Sequence, residues 1–228
     1  MADVESQILA ATVAVLRDGE QGIETLMLKK NSKIAFGGMW VFPGGRIDPE
    51  DYEGLPEQVD HPAPLDAARR AAVREAREEA SIELQSNDLQ HFSFWLPPAR
   101  VTKRFATWFF AARAGSEVVV IDDGEITEYE WLNPQQALDK CQAREIELAP
   151  PTWVSLHTFK DYANVDELLA YLESEQPRHY ETRMSPQPNG VVALWAGDAG
   201  YEATDPSLPG ARHRLEMIAG DYRFLRHD

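Results

Sequence analysis

Arg74-Glu75-Ala76-Arg77-Glu78-Glu79-Ala80-Ser81-Ile82 places three carboxylates on one short helical patch, while small apolar residues take the other face. Residues three and four apart are neighbours on a helix, so Glu75 meets both Glu78 and Glu79. Like charges at that spacing repel, and the repulsion disappears when a hard divalent cation sits among the oxygens. The patch reads either as a metal site or as a solvated charged face, the common fate of a charge run.

The chain upstream favours the metal site. Val41-Phe42-Pro43-Gly44-Gly45 is a short apolar strand ending in a turn that glycine-rich backbone makes easily. A helix start is expected near Asp66, after Pro64-Leu65. Ala68, Ala72, Ala76 and Ala80 then recur every four residues as a thin stripe for close packing on a sheet. This order of strand, Gly-Gly turn, loop and glutamate-bearing helix resembles the Nudix hydrolases. Their signature is a glycine, five residues, a glutamate, seven residues, then Arg-Glu, an aliphatic, any residue, Glu-Glu, any residue, Gly and an aliphatic. Gly45 matches the first glycine, and Arg74, Glu75, Ala76, Glu78, Glu79 and Ile82 match the second half. Asp66 stands for the first glutamate and Ser81 for the last glycine, with an insertion at 46–64 between the halves.

The resemblance implies an α/β fold, the Nudix α/β/α sandwich with a mixed sheet between helices. It implies attack of water on the diphosphate of a small-molecule nucleoside diphosphate derivative. Glu75 and Glu79 are then the principal metal ligands, Glu78 a further ligand, and the Gly44 carbonyl a ligand from the turn. Mg2+ suits such an all-oxygen site, with Mn2+ as substitute. Arg74 joins the catalytic set as a brace, through a salt bridge to a carboxylate. The family takes its general base from different places, so Glu78, Glu125, Glu128 and Glu130 are all open, and Glu78, Glu79 and Glu128 are the expected catalytic residues. Lys30, in a basic cluster with Lys29 and Lys33, is a candidate for substrate phosphates, as are Arg46 and, around His213, Arg212 and Arg214. Solvated surface residues are the alternative for each.

At 228 residues with 43% hydrophobic and 26% charged content, the chain can bury a core of moderate size. A net charge of -16 argues against nucleic acid or an anionic membrane as a steady partner, yet phosphate substrates remain allowed because a metal inverts the local field. The single cysteine, Cys141, excludes an intramolecular disulfide and a cysteine-cluster metal site. Met1 to Ser6 carries no basic leader and no apolar run approaches a membrane span, so a cytoplasmic location is expected. A homodimer is left open.

In order, Gln7 to Leu16 and Ile23 to Leu28 flank a turn signal and read as a hairpin. The acidic, proline-bearing insertion reads as a flap or a lid. Leu89 to Leu96, Arg104 to Arg113, Val118 to Ile121 and Glu125 to Leu132 read as strands, with Phe105, Trp108, Phe109 and Phe110 as core. Asn133-Pro134 starts a helix to about Cys141. Two short helices follow Ala149 and Asn164, then a polar connector over Pro177 to Gly190 and a β-rich tail. The expected division is a core at 1–145 and an extension at 146–228 packed on it.

The Phe-Pro-Gly-Gly segment, the interrupted box, Pro150-Pro151-Thr152 and the Gly197-Asp198 tail resemble the split-box, peroxisomal coenzyme A diphosphatase branch and its bacterial relatives. Ile34 stands where that branch's upstream motif has a basic residue. Coenzyme A or an acyl derivative is the implied substrate, with ADP-ribose or NADH as alternatives. A Nudix module that binds such a ligand without hydrolysing it is the reading from another class, and the complete Arg-Glu-x-x-Glu-Glu set weighs against it.

Overall fold

The computed structural model describes residues 7–33, 35–55, 65–99, 104–116, 118–122 and 124–227. Ile34 and the second part of the insertion, with Glu57 and Asp60, lie outside the described residues.

Near-continuous apolar runs make β1 (Ile8–Gly19) and β2 (Gly22–Lys30) buried strands, and they form a hairpin closed by the Gly19–Gly22 pair. Gly22 takes φ 102, a left-handed value that favours glycine. The main sheet also holds β3 (Trp40–Val41), β4 (Gly44–Arg46), β5 (Gln90–Leu96), β6 (Phe105–Arg113), β7 (Ile126–Leu132) and β8 (Arg178–Glu181). Its order is β3-β2-β1-β6-β5-β8, with β4 on β1 and β7 on β2. The β1–β6 and β5–β8 pairs are parallel and the others antiparallel, so the sheet is mixed.

Helix α1 (Leu65–Ala80) covers one face. Its alanine stripe, Ala68, Ala72, Ala76 and Ala80, is fully buried against Val13, Val15, Leu26 and Leu28. Side chains this small let the helix axis come close to the sheet. On the other face lie α2 (Pro134–Gln142), α3 (Pro150–Phe159) and α4 (Val165–Ser174), packed on Leu16, Met27, Trp40 and Phe109. Three layers result. Successive strand residues point to opposite faces, so Lys30 shares the α1 side with Leu26 and Leu28 while Lys29 takes the other.

Two expectations need correction. The connector over Pro177 to Gly190 holds two strands, β8 and β9 (Arg183–Gln187). Tyr180 explains the first: one buried aromatic stacks on Trp95 at 3.8 Å and seats an otherwise polar edge strand beside β5. Val118 to Ile121 is not a strand. Val118 and Val120 are exposed, and the Val120 amide donates to the Ala80 carbonyl at the end of α1 instead of to a neighbouring strand.

The tail forms a second, antiparallel sheet of β9, β10 (Gly190–Leu194), β11 (Arg212–Ile218) and β12 (Asp221–His227). Trp195, just after β10, lies edge-on to Trp95 and joins this sheet to the main core. The tail's own anchor is electrostatic. Arg214 donates two bonds of 2.7 Å to Asp198, and the two side chains are 3% and 0% exposed.

Burial opposes the charge on Asp198, but Arg214 and the amides of His213 and Gly200 outweigh it and hold the carboxyl at about 2 against an ordinary 3.8. A depressed carboxyl contributes stability above its unfolded value and loses it as pH falls through its folded one. Asp198→Asn is therefore expected to cost about 3 kcal/mol in urea unfolding at neutral pH, because it strands the buried guanidinium. The difference from the native chain should shrink as the pH drops from 3.8 toward 2.

Candidate active site

Gly45 and Glu75 stand 30 positions apart in sequence and meet where the start of β4 runs beside α1. A methyl group on Gly45 would overlap the Glu75 carboxylate, and one on Gly44 would overlap β1 at Ala11 and Thr12. The two glycines thus let the turn fit between strand and helix. Thr12 Oγ1 donates to the Pro43 carbonyl at 2.7 Å and fixes the turn from below. The Gly44 amide donates to Glu79 Oε2 at 2.9 Å.

Arg74 gathers the rest. Its guanidinium donates to Glu75 at 2.8 Å, to Glu78 at 3.2 Å, to the Arg46 carbonyl at 2.9 Å and to Asp51 at 3.0 Å. Burial works against this charge, and the bonds to Asp51 and Glu75 more than restore it. Asp51 is 5% exposed and sits in a short 3-10 helix, Pro49–Tyr52, where it also accepts the Asp48 amide at 2.9 Å. Asp66, placed by sequence in the first acidic position, instead pairs with Arg69 at 3.3 Å on the outside of α1.

The reason is a conflict of two counts. Seven residues separate Asp66 from Arg74, and five separate Gly45 from Asp51. An insertion satisfies only one spacing, and here it falls after Asp51. The flap-or-lid expectation rests in good part on residues outside the described ones, and only the start of the insertion can be placed. It is a bracket holding the arginine, and the spacing from Gly45 was the signal that could have found it.

The glutamates differ in environment. Glu79 is buried, and burial pushes its carboxyl up to about 7 even though Lys30 and the Gly44 amide act in the other direction. Burial raises Glu75 too, against the pull of Arg74, and Glu78 adds repulsion. Glu78 itself is exposed. Among the described residues no three acidic, histidine or cysteine side chains converge closely enough to ligate one ion as they stand. The donor chemistry nonetheless fits a hard cation: two desolvated carboxylates one turn apart, with a third beside them.

Lys30 reaches this side of the sheet as its parity requires. Its ammonium makes a short ion pair with Glu79 and lies 3.3 Å from Glu125. Glu128 does not reach the glutamates: it lies opposite Lys29 and pairs with it at 2.6 Å on the other face. Glu130 is likewise held by Lys140. Lys29 lines a cavity of about 400 Å³ there with Trp40, Arg144 and Tyr222. Arg46 is exposed next to Gly45. Arg214 is spent on Asp198 inside the second sheet, and Arg212 donates to the Leu208 and Ala211 carbonyls of its own turn. Neither joins the glutamates.

A model of the NUDIX domain matches residues 7–150. The chain belongs to the NUDIX family. It is 24% identical to the acyl-coenzyme A diphosphatase NUDT19 of Xenopus laevis, across 84% of this chain and 74% of that protein. The Homo sapiens protein of that name is 30% identical over 50% of this chain and 32% of its own length. Among solved structures, a NUDIX hydrolase from Alicyclobacillus acidocaldarius shares the fold at TM-score 0.63 and 21% identity, over 73% of this chain and 97% of that one. The chain is accordingly a Nudix-type hydrolase of diphosphate bonds, a family that generally uses a divalent metal. No helix among the described residues is long and apolar enough to cross a membrane.

The bracket has a direct check. Asp51→Asn is expected to lower stability by roughly 2 kcal/mol, the scale of a buried hydrogen bond to a charged group, whereas Asp66→Asn should stay within about 0.5 kcal/mol of the native chain. Denaturant titration of both variants reads the contrast.

Proposed function

We propose that this NUDIX chain hydrolyses the diphosphate of a coenzyme A-type nucleoside diphosphate derivative, using Mg2+, or Mn2+ as substitute, held by Glu75 and Glu79 with Glu78 beside them. The observation that carries the reading is the joining of Gly44-Gly45 to Glu75 and Glu79 across the insertion, with Arg74 as the common brace. Bound there, a divalent cation would activate water and neutralise the diphosphate.

The chain's own residues divide the remaining work. Glu79 and Glu75 are desolvated, so a cation beside them gains more than it would at an exposed carboxylate. Glu78, 59% exposed on its side chain, has solvent access and is assigned as proton acceptor. Arg74 contacts Glu75, Glu78, Asp51 and Asp48 as well as the Arg46 carbonyl, and its role is to position. Arg46, exposed beside the turn, is assigned to the substrate phosphates.

Support for the coenzyme A class comes from the Xenopus laevis relative, whose alignment spans 84% of this chain and so runs past the 7–150 family match. Selectivity in such folds resides in loops and extensions, which that longer alignment includes.

Glu79→Gln is expected to cut turnover by about two orders of magnitude or more, in line with the 10–100-fold or larger effects of metal-site changes, while the thermal melt stays cooperative. The assay is release of the phosphorylated products from coenzyme A, ADP-ribose and NADH with Mg2+ or Mn2+. An unchanged rate would remove Glu79 from the site. Hydrolysis of ADP-ribose or NADH in preference to coenzyme A would reassign the substrate. A ligand that raises the melting temperature without being cleaved would mark a binding module.

A further inference from the structure

Among the described residues two cations touch the glutamate cluster, and they are built differently. Arg74 is engaged on every side by Asp51, Glu75, Glu78 and the Arg46 carbonyl, so moving it would break several bonds together. Lys30 touches two carboxylates of contrasting exposure. Glu79 is 4% exposed and Glu125 is 61% exposed, with the ammonium bridging them.

The backbone on both sides of Lys30 is held in place, so its contacts can change only by movement of the side chain. Its amide donates to the Met39 carbonyl at 3.0 Å, and its carbonyl accepts the Gly38 amide at 2.9 Å. The Asn31 amide donates to the Glu125 carbonyl at 2.7 Å. Asp122 accepts the amides of Glu125 and Ile126, each at 2.9 Å, and so fixes the turn that carries Glu125. A compact ammonium on a flexible stem can pivot within that frame, which a planar guanidinium tied at four points cannot.

We propose that Lys30 is a resident counter-ion for the metal position, pairing with Glu79 until a divalent cation takes that carboxylate and Lys30 passes to Glu125. The proposal rests on the reading of Glu79 as a metal ligand. It makes Lys30 a positioning residue for the site: it keeps the buried carboxylate neutralised and in place without metal, and then leaves. The handover costs little desolvation, because Glu125 is already partly in water. It also moves a positive charge from the ligand set toward the rim of the site, where a diphosphate would approach.

The test is Mn2+ binding alone, with no substrate, to the full chain. Free Mn2+ is read by electron paramagnetic resonance for the native chain, Lys30→Met, Glu125→Gln and the double variant. Lys30→Met should bind Mn2+ roughly tenfold more tightly, since a competing unit charge next to the ligand is gone. A lysine that only supports the fold would leave affinity unchanged or lower. Glu125→Gln should weaken Mn2+ binding several-fold in the native background, and clearly less once Lys30 is absent.

Equal or weaker binding by Lys30→Met overturns the counter-ion role, and an identical effect of Glu125→Gln with and without Lys30 overturns the handover. Lys30→Gln substitutes if the methionine variant does not fold. If neither variant regains a cooperative melt with saturating Mn2+, the role also falls, because a counter-ion is dispensable once metal is bound. Absence of Mn2+ binding in every variant removes the metal-ligand reading itself. Binding by the native chain with no gain in Lys30→Met leaves that reading standing and removes only this one.

Discussion

A single guanidinium underlies the geometry of the site. Arg74 leaves α1 and meets a carboxylate from the 3-10 helix, a carbonyl from β4 and two carboxylates of its own helix. Five donors in a rigid fork can serve that many acceptors at fixed angles, which an ammonium could not do. Partial burial strengthens each contact and makes a missing partner costly. The strand, the bracket and the helix are therefore held at one spacing, and the closeness of Gly45 to Glu75 follows from it.

The layers explain why the site lies where it does. The alanine stripe brings α1 close to the sheet, so Glu75 and Glu79 on its flank come level with the start of β4. Strand alternation then decides which lysine and which downstream glutamate share that space. Lys30 and Glu125 do, while Lys29 and Glu128 pair on the opposite face. A shift of one residue in β2 would exchange the two lysines.

Much of this was legible in the sequence because it rests on local periodicity. The hairpin, the helix from about Asp66, the proline-started α2 and the strands β10 and β11 of the tail follow from apolar runs, helix-start signals and turn residues. What escaped was set by distant partners. Asp51 was hidden since an insertion breaks the spacing and sequence cannot say on which side of it the acid belongs. Tyr180 makes β8 a strand only through Trp95, more than eighty positions away. Arg214 looked available for phosphates because nothing local reveals Asp198 as its partner. The parity that separates Glu125 from Glu128 is readable only once β7 is known to lie against β2, with a register shift at Lys29 and Lys30.

The position of Asp51 ahead of the inserted stretch has a consequence for how much the loop can vary. The segment is anchored at one end by the Asp51–Arg74 pair and at the other by Leu65 at the start of α1. Between two fixed points the entropy of closing a chain grows only with the logarithm of its length, about 0.6 kcal/mol for each doubling. The contacts that hold the glutamate cluster thus lie on either side of that stretch, and its length enters the free energy of the fold only weakly.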